Sequence, residues 1–116
     1  MVDTDVELFP EPFGTELRPH GTTVVVVASG EIDLNCCDRL HAELRRLLSD
    51  FRRIVLDLRD VDFIDCSGLH CLLDVNRASR EAGVEFELVR GPKQVQRLFE
   101  VAHADDVLRF IDPNRA

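Results

Sequence analysis

Arg53–Leu73 reads RIVLDLRDVDFIDCSGLHCLL, and the fold turns on how this stretch is read. Ile54–Leu58 is a short apolar run broken only by Asp57, rich in β-branched residues and too short for a typical helix. It predicts a strand buried on both faces. Asp60 closes that strand, and Val61, Phe63 and Ile64 carry the chain to the polar turn Asp65-Cys66-Ser67-Gly68. Beyond the turn Leu69, Leu72 and Asn76, with a second stripe of Cys71, Val75, Ala78 and Ala82, recur at helical spacing. Such a helix is apolar around most of its girth. A buried strand, a polar turn and a buried helix begin a β-α-β unit.

The alternation continues on both sides. Upstream, Glu16–Arg18 predicts a short edge strand stopped by Pro19, and Val24–Ala28 a strand with both faces buried, ended by Gly30. The loop Glu31-Ile32-Asp33 leads to a helix carrying Leu40, Leu44, Leu47, Leu48 and Phe51 on one stripe, with Asp33 or Asn35 as its cap. Arg39, Glu43, Arg45 and Arg46 form its solvated face. Downstream, Gly83 stands at the C′ position of the second helix. Val84, Phe86 and Leu88 then alternate with Glu85 and Glu87, which predicts a strand with one wet face. Its charge argues against sheet-edge pairing, hence for a monomer or weak dimer. Gly91-Pro92 turns the chain into a short amphipathic helix of Val95, Leu98, Phe99 and Ala102, and Val107–Ile111 forms a last strand. The expectation is an α/β fold: a mostly parallel sheet of four to five strands with packed helices and right-handed crossovers. Residues 1–14 read as a flexible N-terminal arm, 15–112 as a single domain and 113–116 as a C-terminal tail.

Composition narrows the function. No apolar run approaches the roughly 20 residues that cross a bilayer, so no membrane role is expected. The acidic N-terminus has no leader pattern, which points to the cytoplasm. A net charge of −8, from 22 acidic and 14 basic residues, speaks against nucleic acid and for a basic protein partner. Cys36, Cys37, Cys66 and Cys71 contain no Cys-x-x-Cys and the histidines are scattered, so neither a metal nor a cofactor is expected.

Two separated motifs carry a resemblance. Val55-Leu56-Asp57-Leu58 with Phe63-Ile64-Asp65-Cys66-Ser67-Gly68-Leu69, and upstream Ser29-Gly30-Glu31-Ile32-Asp33, resemble the signature of the STAS family of sulfate transporters and anti-sigma factor antagonists. The resemblance runs from Leu17 to Ile111 and implies the STAS fold. It implies a non-enzymatic anti-sigma factor antagonist, or anti-anti-sigma factor, that regulates transcription by binding an anti-sigma factor with a GHKL-type kinase fold and releasing a sigma factor. The implied partner-binding residues are Gly30, Glu31, Asp33, Asp65, Gly68, Leu69 and His70. The family's phosphorylated hydroxyl directly follows the aspartate, and here that position is Cys66, with Ser67 next to it.

Loops that follow the carboxyl ends of neighbouring parallel strands gather at one sheet edge. Asp33 and Asp65 would meet there. An acid/base pair would need a nucleophile and a histidine beside it, and no such set is apparent; a binding surface fits better. A phosphate at that edge would be held by helix N-terminal amides, yet add nearly two negative charges beside Asp33, Asp62 and Asp65 and repel a partner. Cys66 removes that switch. Ser67 is turned about 100° away and reads as an N-cap. Cys66 itself reads as a small space-filler, as a redox thiol near Cys36 and Cys37, or as drift in a paralogue, and Cys71 as a buried core residue. Two other functions remain in play: an accessory STAS subunit of a lipid-transport ATPase, and a thiol redox sensor using the same surface.

Overall fold

The computed structural model describes residues 13–116, in which strands and helices alternate. In chain order they are β1 (Phe13–His20), β2 (Thr23–Ile32), α1 (Leu34–Leu47), β3 (Arg53–Ile64), α2 (Cys66–Ala82), β4 (Glu85–Val89), α3 (Lys93–Val101) and β5 (Arg109–Ile111). A single 3-10 turn, Pro113–Arg115, follows. The sheet runs β1-β2-β3-β4-β5, with β1 antiparallel to β2 and every other pairing parallel. Each helix thus connects adjacent strands and each crossover steps the same way, so right-handed connections bring all three helices to one face.

That face holds the main core. Val24, Val26 and Ala28 of β2, Ile54, Leu56 and Leu58 of β3, and Phe86 and Leu88 of β4 pack against Leu40 and Leu44 of α1, Leu72 and Val75 of α2, and Val95 and Phe99 of α3. Register sets two rows on the opposite face: Arg18, Val25, Val55, Glu87, Arg109, and Glu16, Val27, Asp57, Val89, Ile111. Val55, Val89 and Ile111 make a small apolar cluster there, and the charged residues around it pair with one another. Glu87 sits between Arg53 Nε at 2.6 Å and Arg109 Nε at 3.2 Å, and Asp57 faces Arg59 Nη2 at 2.8 Å.

The element order agrees with the sequence reading, and Ile54–Leu58 is buried throughout, as the apolar run requires. Several details differ. β3 continues through Asp60 to Ile64, and β2 passes Gly30 to reach Ile32, because two register irregularities let the strand bend without ending. Val25 and Val27 are half-buried, since no helix covers their face. Pro19 lies inside β1 and does not stop it; an outer strand tolerates the missing N–H. Glu87 is buried, not wet, because two arginines neutralise it on the helix-free face. β4 is also interior, so the edges are β1 and β5 and its charge says nothing about dimerisation. Of the expected arm, residues 1–12 lie outside the described residues, while Phe13, buried at 3% exposure, and Gly14 belong to β1.

The pairing on the helix-free face makes two measurable statements. Removing the partner of a buried charge strands that charge, so Arg53→Ala, which leaves the Glu87 carboxylate with only the exposed Arg109, should lower unfolding free energy by about 3 kcal/mol in urea titration. Arg109→Ala, at an exposed partner, should cost less than about 1 kcal/mol. For Asp57, burial pushes the carboxyl up, but the hydrogen bonds and charge of Arg59 outweigh it and hold the group below the usual carboxylate range. A depressed native pKa contributes stability that is present above the unfolded-state pKa and is lost as pH falls through the native one. Asp57→Asn should therefore flatten the acid limb of stability against pH, read as urea midpoints from neutral pH downward.

Candidate functional site

The carboxyl ends of β2 and β3 carry the two acidic loops, and each loop ends in an aspartate that starts a helix. Asp33 has extended backbone and its Oδ1 accepts the Asn35 N–H at 2.9 Å, capping α1; of the two candidate caps, the aspartate holds the position. Asp65 does the same for α2, its Oδ1 accepting the Gly68 N–H at 3.0 Å. Ser67, read from sequence as a cap, instead lies inside the first turn.

The loops are tied together. The Asp65 N–H donates to the Ile32 carbonyl at 3.2 Å. Gly68 closes the contact: a Cβ there would lie 2.6 Å from the Ile32 oxygen, 2.8 Å from Ile32 Cγ2 and 2.9 Å from Ile64 Cγ1. Only glycine lets the start of α2 approach this closely. Gly30, at φ 87°, occupies the left-handed region beside the register irregularity that swings Glu31 next to Phe63 on β3.

Of the residues singled out in the sequence, Glu31, Cys66 and His70 are exposed, Gly30, Asp33, Asp65 and Ser67 are half-buried, and Gly68 and Leu69 are buried. Leu69 is corrected here. At 4% exposure it packs in the main core and cannot be a partner contact, because its turn of α2 faces the sheet. Cys66 is exposed at the first position of α2, which overturns the space-filling reading. Two residues at this edge escaped the sequence reading: Leu34, 70% exposed at the start of α1, and Phe63, 48% exposed beside Glu31. Leu34 carried a usable signal. It stands six residues before Leu40, well off the stripe that faces the sheet. Glu31, Asp33, Asp62 and Asp65 form no ion pair with lysine or arginine among the described residues, so the edge is acidic around two apolar side chains.

Behind the edge a groove runs between α1 and α2, bordered by Leu34, Cys37, His41, Ser67, Cys71 and Asp74 among others. His41 Nε2 pairs across it with Asp74, which also takes Arg77. The hydrogen bond from His41, aided by Arg77, holds the Asp74 carboxyl below the usual range against the opposing effect of desolvation. All four thiols are free. Burial pushes Cys36 up and Cys71 up to about 12. Cys36 lies buried with its sulfur on the Glu31 carbonyl at 3.4 Å, while Cys37 faces the groove with Cys71 and not with Cys66. Among the described residues no three His, Cys, Asp or Glu side chains are grouped to hold a metal ion, and no helix is long and apolar enough to cross a membrane.

The STAS domain family model matches residues 15–115. Osmosensory protein A of Mycobacterium tuberculosis is 30% identical over 87 residues, covering 73% of this chain and 55% of that protein, so the chain spans about half the length of this relative. Among solved structures, an anti-sigma factor antagonist from Mycobacterium paratuberculosis superposes with a TM-score of 0.74 at 25% identity, over 90% of this chain and 88% of that one. The anti-sigma factor antagonist SpoIIAA in its unphosphorylated form gives a TM-score of 0.75 over 88% of this chain and 91% of its own, and at 17% identity this likeness speaks for the fold alone.

The contact at Gly68 is testable by one methyl group. Gly68→Ala should destabilise the protein by about 1–3 kcal/mol through overpacking against backbone, and amide exchange should rise at Asp65 and in the first turn of α2. Gly14→Ala, whose Cβ would meet only Ser29 Oγ at 3.4 Å, should leave both unchanged.

Proposed function

Because the chain belongs to the STAS domain family, we propose that it acts as an anti-sigma factor antagonist, binding an anti-sigma factor and so freeing a sigma factor to direct transcription. The observation that carries this reading is the edge where two capped loops lock together, presenting Leu34 and Phe63 amid Glu31, Asp33, Asp62 and Asp65. A rigid acidic rim around apolar anchors suits a protein partner with a basic face, since exposed anchors supply affinity and the charges supply steering. The likeness to the anti-sigma factor antagonist from Mycobacterium paratuberculosis supports the same role. The protein acts in the cytoplasm, by competition for a surface and without catalysis. Its partner is an anti-sigma factor with a GHKL-type kinase fold.

Cys66 occupies the position where this partner would place phosphate, and a thiol is not its substrate. The protein is thus an antagonist that its kinase cannot switch off. Intact mass after incubation with the kinase and ATP should show no phosphate on the wild type and one on Cys66→Ser. A phosphate on the wild type that vanishes in Ser67→Ala would move the switch one residue along and overturn the reading. Leu34→Asp and Phe63→Asp should each weaken the kinase complex about tenfold or more, with fold and stability unchanged. Recovery of the chain with a membrane ATPase in place of a soluble kinase would refute the role altogether.

A further inference from the structure

Cys37 and Cys71 meet across the groove between α1 and α2. Cys71 Sγ lies 3.7 Å from the carbonyl oxygen of Cys37 itself. Backbone bond lengths then put that sulfur within about 6 Å of Cys37 Cα. That bounds the Cα–Cα separation at about 9 Å. A disulfide needs Cα atoms within about 7 Å, so side-chain rotation and at most a small approach of α1 to α2 close the bond. Cys37 Sγ at present rests on the Leu34 carbonyl of its own helix at 3.7 Å, and a turn about χ1 releases it toward the groove. Cys37 is half-buried and borders the groove with Cys71, which is 7% exposed. The other two thiols are placed differently. Cys36 is buried with its sulfur on the Glu31 and Asp33 carbonyls, and Cys66 is exposed at the helix start, outside the residues that border the groove.

We propose that Cys37 and Cys71 form an oxidation site, in which a hydroperoxide converts the pair to a disulfide that staples α1 to α2 directly behind the two acidic loops. This goes beyond the partner-binding reading and does not depend on it. The accessible thiol reacts first. Cys37, as thiolate, attacks a peroxide oxygen; the O–O bond breaks, water or an alcohol leaves, and Cys37 becomes a sulfenic acid. The Cys71 sulfur then attacks the Cys37 sulfur. The S–S bond forms, the S–O bond breaks, and hydroxide departs as water with the Cys71 proton. Both sulfurs are oxidised by one electron each, the peroxide is reduced by two, and the protein loses two hydrogens. Burial that raises the Cys71 thiol makes this second step slow, so the sulfenic acid at Cys37 should be trappable early in the reaction.

The test is treatment of the full chain with hydrogen peroxide, alkylation of remaining thiols, and non-reducing peptide mapping with intact mass. The expected result is a Cys37–Cys71 crosslink, alkylation confined to Cys36 and Cys66, and reversal by dithiothreitol. The linked form should also melt higher than the reduced one. Cys37→Ser should abolish the crosslink, and because Cys37 is half-buried this variant should fold; Cys66→Ser should leave the crosslink intact. A Cys36–Cys37 link, a Cys66-linked dimer, or over-oxidised Cys37 beside a still alkylatable Cys71 would each overturn the proposal. Since the readout is covalent and requires no partner, its failure would leave the anti-sigma reading standing, and the reverse holds too.

Discussion

The close approach of α2 to the end of β2 is the constraint on which the rest of the structure depends. Gly68 has no room for a side chain against Ile32, and the Asp65 N–H bonds the Ile32 carbonyl. This fixes the start of α2 against β2, one strand removed from the β3 that feeds it. A helix so anchored must lie over the same face as α1, and the main core closes between Leu40 and Leu44 on one side and Leu72 and Val75 on the other. The same contact sets the spacing of the two aspartate caps, so the geometry of the candidate docking edge and the closure of the core rest on one backbone contact.

The two faces of the sheet solve different problems. The helix side removes apolar surface from water in the ordinary way. The opposite side, lacking helices, buries charged side chains among Val55, Val89 and Ile111, and each buried charge has an opposite partner: Glu87 with Arg53 and Arg109, Asp57 with Arg59. Burial of Asp57 and Glu87 without those arginines would be strongly unfavourable. A face made this way is specified by charge order along each row, which discourages register slips that would set like charges side by side.

Much of this was legible from the chain. The fully buried run Ile54–Leu58, the α1 stripe and Gly83 at the end of α2, with φ at 72°, follow from periodicity and glycine chemistry. What was not legible depends on neighbours. Glu87 alternates with Phe86 and Leu88 like any solvent-facing residue; only Arg53 and Arg109, 34 and 22 positions away, make it buried. Leu69 sits in a motif that the resemblance marks as functional, yet its helical phase puts it in the core, where the motif's apolar residue has a packing role. Phe63 looks like a core residue until the sheet is assembled, because hydrophobicity alone cannot distinguish a buried side chain from an anchor left exposed for a partner. Only Leu34, off the apolar stripe of α1, was legible as exposed. The meeting of Cys37 and Cys71 is likewise a product of helix pairing.

Under the proposed function, residues at the edge differ in how freely they can change. Asp33 and Asp65 supply negative charge to the rim and also cap α1 and α2, so losing either carboxylate disturbs the helix start as well as the surface. Gly68 is fixed by contact with Ile32, and Leu69 by the core. Cys66 is different. Exposed and without a role in packing, it can replace a hydroxyl at almost no cost to folding, while the cap before it and the glycine two residues after it keep the loop in place. A chain can therefore lose phosphorylation at this position and keep the docking edge, because the switch hangs from a side chain that the fold does not use, whereas the loops that present Leu34 and Phe63 are held in place by Asp33, Asp65 and Gly68, which it does use.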